Sequence, residues 1–162
     1  MTTFRLLATG LVLLAACAPA GPVVDIAARE AAVRDTVTAL FTACIEEEKT
    51  GNPDICLGQM SRDSDFRYFV NTTLSFNADS ITVRTHRGFA TREVWEMEVE
   101  IDTVAVLGPD AAVVTARLIV TTKEIGGPRL VRPASWSLVY ARRASGWAII
   151  QGHWTYGEPQ RP

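Results

Sequence analysis

From Val94 onward the chain is written as long runs in which apolar and polar residues alternate. Val94 to Leu107 places Trp95, Met97, Val99, Ile101 and Ala105 at one parity and Glu96, Glu98, Glu100 and Asp102 at the other. A period of two held that long splits an extended strand into two faces, whereas on a helix it would scatter the apolar residues all round. Gly108, Pro109 and Asp110 then turn the chain into Ala111 to Lys123, where Ala112, Val114, Ala116, Leu118 and Val120 oppose Thr115, Arg117 and Thr121. Gly126, Gly127 and Pro128 lead to a hairpin from Ser135 to Tyr156, whose turn is Arg142, Arg143, Ala144, Ser145 and Gly146. Strands apolar on one face need a layer laid against that face.

The preceding segment supplies the layer. Ile26, Ala27, Val33, Val37, Leu40, Phe41, Cys44 and Ile45 recur at three- and four-residue steps, predicting one amphipathic helix over Asp25 to Glu48, with Glu46 and Glu47 mostly on the outer side. A short helix is predicted from Pro53 to Met60 and a strand from Asp65 to Asn71. A third helix runs from Asn77 to Gly88, with Asn77 or Asp79 as its cap and Gly88 as its stop, against the β preference of Ile81, Thr82, Val83 and Thr85. The layout is α+β: a curved antiparallel sheet with a long N-terminal helix and one or two short helices on its concave face. At 162 residues, 48% of them apolar, the chain is sized for one domain, placed at 25–157 with a tail at 158–162.

The first residues read as a targeting segment. Met1 to Arg5 are short and positive, and Leu6 to Ala16 are apolar but too few to span a hydrocarbon core of roughly 30 Å. Leu14, Ala15, Ala16, Cys17 resembles the lipobox of bacterial lipoproteins. The resemblance implies a signal peptide at 1–16, diacylglycerol on Cys17 and a short linker at 17–24. Ala18 in place of Asp implies sorting to the periplasmic face of the outer membrane. In that oxidising compartment the remaining pair, Cys44 and Cys56, is expected to form a disulfide across the helix junction, stabilising the fold by about 3 kcal/mol. Gly51, Asn52 and Pro53 within it suit a helix stop, a cap and a first helical residue.

A helical N-terminal third, a long meander and a last strand reading Trp147-Ala-Ile-Ile-Gln-Gly-His153-Trp154-Thr155 resemble the nuclear-transport-factor-2-like superfamily, with its SnoaL-like and ketosteroid-isomerase-like members. The closing pattern is also similar to that of the calmodulin-dependent kinase association domain. The resemblance implies a cone whose open end holds a mostly apolar pocket, and pairing of copies through the outer sheet face, here Ser135, Ser137, Val139, Val113 and Ile119. Its isomerases and dehydratases place a carboxylate or histidine in the cavity, where apolar surroundings raise a carboxyl pKa towards neutrality.

On the apolar parity of the strands stand Trp95, Met97, Trp136 and Tyr140, but no acid. These four, with Tyr68 and His153, are the expected pocket residues. Candidates for catalysis are His153, Asp65 and Tyr68; each also has a structural reading, His153 as an anchor of the last strand, Asp65 as a surface or capping residue and Tyr68 as a core-rim aromatic. Arg92 and Arg132 stand at strand ends, where two readings are open: attraction of an anionic ligand, or ordinary surface arginines. A formal charge of −2 gives no basic field for nucleic acid. Two histidines without neighbouring acids give no metal spacing, and no cofactor motif is present. Three functions fit: a lipid-anchored binding or accessory module for a small apolar molecule, with a carboxylate-free pocket; a partner-binding domain whose cavity its own aromatics fill; and an isomerase, dehydratase or hydrolase using His153. The first is favoured.

Overall fold

The structure, a computed structural model, describes residues 25–160; the expected signal peptide, Cys17 and linker lie outside them. Helix α1 spans Ile26–Lys49, with the Asp25 carboxylate accepting from the Ala28 N–H at 3.0 Å. Its buried stripe is Val33, Val37, Phe41, Cys44, Ile45 and Glu48. Gly51, at φ +82°, closes the helix: its N–H donates to the Glu48 carbonyl and that of Asn52 to the Glu47 carbonyl. Helix α2, Asp54–Gly58, follows at once, and Cys44 and Cys56 are joined as a disulfide.

Strand β1, Arg67–Val70, and β2, Thr73–Ser75, form a tight hairpin around Asn71, which takes a positive φ of 52°. The short β2 was not foreseen. Helix α3, Ala78–Ala90, is capped by Asn77, whose side chain accepts from the Ser80 N–H at 2.8 Å. It runs through Gly88 rather than stopping there, and burial of Ala78 and Ile81 offsets the β preference of Thr82, Val83 and Thr85. The meander is β3, Arg92–Gly108; β4, Ala111–Glu124; β5, Arg129–Arg143; and β6, Gly146–Tyr156.

The six strands form one sheet in the order β2-β1-β6-β5-β4-β3. The meander is antiparallel as expected, but β1 joins β6 in parallel. The connection between them runs through β2, α3, β3, β4 and β5, long enough for the first strand to lie beside the last in either direction.

Two bulges set which side chains face inward. On β3, Val99 pairs with Leu118 and Ile101 with Arg117, leaving Glu100 unpaired. Parity reverses there, so Val104 and Val106 pack on the core while Ala105, expected inside, is exposed. On β6, Ile149 pairs with Tyr140 and Gln151 with Val139, leaving Ile150 as the extra residue. Gly152 and Trp154 therefore turn inward and His153 outward. The core lies between the concave sheet face and α1, where Phe41 meets Trp136 edge to face at 5.8 Å. Among the described residues, no helix is long and apolar enough to cross a membrane.

Candidate functional site: a cavity ending on a buried carboxyl

Between the sheet and the ends of the helices lies a half-open cavity of about 280 Å³. Its sheet wall is aromatic: Tyr68, Trp95, Trp136, Trp154 and Tyr156. Trp154 packs against Trp136 at 5.0 Å and Tyr156 at 5.4 Å, edge to face in both cases. The Trp136 indole N–H donates to the Tyr68 hydroxyl at 2.8 Å, which satisfies both groups in the interior. Tyr68 can pack across β6 because its partner in register is Gly152; a Cβ there would clash with Cε2 and Cδ2 of the phenol ring. This gives the glycine of the closing motif a packing reason.

The helical wall is built differently. The last turn of α1 contributes Glu48, 8% exposed although it ends the acidic run Glu46-Glu47-Glu48. Helix α3 contributes Ile81, Arg84 and Phe89 to the lining. Arg92 packs its guanidinium over Trp95 at 4.7 Å and Phe89 at 5.7 Å, and its Nε donates to Glu124 Oε1 at 3.2 Å. Burial drives the Glu48 carboxyl from its ordinary 4.5 up to about 8; the charge of Arg92 pulls the other way without cancelling the effect. Burial, reinforced by Glu48, also raises the Tyr68 phenol. At neutral pH both are mainly protonated.

A protonated carboxyl is a hydrogen-bond donor as well as an acceptor. In the sheet wall of the same cavity the indole N–H groups of Trp95 and Trp154 are buried with no acceptor in hydrogen-bond geometry, that of Trp154 lying beside the Tyr156 side chain. The cavity thus offers the Glu48 carboxyl as a donor in an apolar, aromatic setting, which suits a ligand with an acceptor oxygen on a flat apolar body. Glu48 and the two cysteine sulfurs lie within 4.8 Å of one another, but the disulfide removes both thiolates as ligands, so this group is not a metal site.

Of the expected pocket residues, Tyr68, Trp95 and Trp136 line the cavity. Met97 and Tyr140 are core residues that do not reach it; the Tyr140 hydroxyl is engaged with Gln59 Oε1 at 2.9 Å. His153 is exposed on the outer sheet face, 2.9 Å from the Thr155 hydroxyl and edge to face with Phe69. Asp65 is exposed too, paired with Arg143. Neither reaches the cavity, and the two are not brought together there. The expected carboxylate-free pocket is also corrected, because its acid comes from the helix and not from the strands. Glu48 continues the buried series Phe41, Cys44, Ile45 by one more turn, a signal present in the spacing.

No known family model and no curated protein matches the chain. Solved structures do share its fold. A proposed scytalone dehydratase from Novosphingobium aromaticivorans superposes with a TM-score of 0.70 at 6% identity, covering 83% of this chain and 90% of that one. A nuclear transport factor 2-like superfamily protein from Salmonella enterica gives 0.66 at 15% identity, covering 81% and 94%. A proposed calcium/calmodulin-dependent protein kinase II association domain from Xanthomonas campestris gives 0.62 at 21% identity, covering 75% and 86%. The chain has the cone fold of nuclear transport factor 2-like proteins. At these identities the likeness speaks for architecture, and function rests on the site.

Proposed function

We propose that this domain binds a small, flat, mainly apolar molecule bearing an acceptor oxygen, and that lipid on Cys17 holds it at the periplasmic face of the outer membrane. The observation that carries the binding reading is the aromatic cavity of about 280 Å³ that ends on the buried Glu48 carboxyl. Fold neighbours that include a proposed dehydratase support a small-molecule cavity as its setting. The test is titration with 2-naphthol, a neutral flat phenol, followed by quenching of tryptophan fluorescence. Saturable quenching is expected, and Thr85→Trp, which fills the mouth, should abolish it while leaving the circular dichroism spectrum intact. Equal quenching of both proteins would end the reading. For the anchor, Cys17→Ala should move the expressed protein from the membrane to the soluble fraction.

A second reading is favoured by one observation. A carboxyl that titrates near 8 in an apolar cavity can accept and return a proton close to neutral pH. Acid/base catalysis would then belong to Glu48, and His153, on the outer face, would have no part in it. Deuterium uptake at the α-carbon of 2-tetralone, read by NMR in D₂O, checks this: catalysed uptake in the wild type should vanish in Glu48→Gln.

A further inference from the structure

Beside the main cavity is a second of about 120 Å³ that shares Arg92 and Tyr156 with it and is completed by Glu124, Pro128, Leu130 and Arg132 among others. Its charges do not balance. Glu124 is occupied, accepting from Arg92 Nε at 3.2 Å and from the Thr91 hydroxyl at 2.8 Å. Arg132 has no ion-pair partner among the described residues. Its guanidinium stacks on the Tyr156 ring at 5.8 Å, and its Nε–H is buried with nothing to donate to. A buried cationic N–H without an acceptor is costly, and a guanidinium fork is matched geometrically by a carboxylate. Tyr156 forms the party wall: one aromatic ring borders both the apolar cavity and the cationic one.

We infer that the ligand is an amphipathic monocarboxylate, its apolar body in the main cavity and its carboxylate carried past Tyr156 onto Arg132, with Arg92 as the neighbouring cation. The inference rests on the binding reading above and narrows its ligand class. Within the second cavity one guanidinium is paired with Glu124 and the other, that of Arg132, is left over, which fits one carboxylate there. The arginine at position 132, rather than Arg92, sets the preference for the acid, since Arg92 is already committed to Glu124.

The experiment compares 4-phenylbutyrate with its primary amide by calorimetry at pH 6.5 and low salt, with 2-naphthol as the neutral control. The wild type should bind the acid at least tenfold tighter than the amide, and the advantage should shrink with added salt. Arg132→Gln should erase the advantage of the acid over the amide, Arg132→Lys should keep part of it, and naphthol, which carries no group onto position 132, should bind the variants as it binds the wild type. Naphthol binding with no acid preference, or a preference that survives Arg132→Gln, would overturn the anion subsite and leave the apolar pocket standing. Failure of naphthol, acid and amide alike would remove both readings.

Discussion

The two walls of the cavity are made by opposite rules. The sheet wall is aromatic; one pair of its polar groups, Trp136 and Tyr68, closes on itself, while the indole N–H groups of Trp95 and Trp154 stay unbonded. The helical wall brings ionisable groups into the same space: Glu48 from α1, Arg84 from α3 and, beside them, Arg92 at the start of β3. A sheet face alternates with backbone hydrogen bonds fixed on both sides, so it gives a rigid shape at low chemical variety. Helix ends and strand starts are less constrained by neighbours, and long side chains there can reach into a cavity without breaking a ladder. Shape comes from one wall and reactivity from the other.

Substitutions on each wall should therefore differ in kind. The largest effect belongs to Glu48. Its folded pKa of about 8 lies above the 4.5 of the unfolded chain, so the folded state holds the proton more tightly. Stability is greatest below pH 4.5 and falls as pH rises to 8, by on the order of 5 kcal/mol at most. Glu48→Gln should match the wild type at pH 5 and exceed it by several kcal/mol at pH 9 in urea denaturation. A pH-independent difference would break the distinction between the walls. On the sheet wall, Trp136→Ala should cost about 4 kcal/mol at every pH, through the cavity it opens and the Tyr68 hydroxyl it strands. Gly152→Ala should cost about 2 kcal/mol by forcing the Tyr68 ring off β6, seen as a lower Tm and weaker naphthol binding. His153→Ala, outside both walls, should change stability by less than about 0.5 kcal/mol and leave naphthol binding alone.

The architecture was legible because its signals are periodic and local. Asp25 and Asn77 cap helices through their own side chains, Gly51 stops one, and the long strands follow from unbroken alternation. The disulfide between Cys44 and Cys56 follows from spacing and expected compartment. What alternation does not reveal is a bulge. One extra residue at Glu100 and another at Ile150 reverse the parity of everything beyond them, which put Ala105 outside and carried His153 away from the cavity. Neither position has the Gly or Pro that would mark it. Glu48 was hidden for another reason: an acid within three consecutive glutamates looks solvated, although its place on the stripe of Phe41, Cys44 and Ile45 points inward. The parallel pairing of β1 with β6 joins residues far apart in the chain and has no local signature.

The most direct test of the cavity chemistry is titration of the Glu48 carboxyl by ¹³C NMR, with the resonance identified by its loss in Glu48→Gln. A midpoint near 8 is expected if the carboxyl is buried and mainly neutral at physiological pH. A midpoint near 4.5 would mean that water reaches the end of the cavity, and would contradict the account of a buried, neutral carboxyl in it.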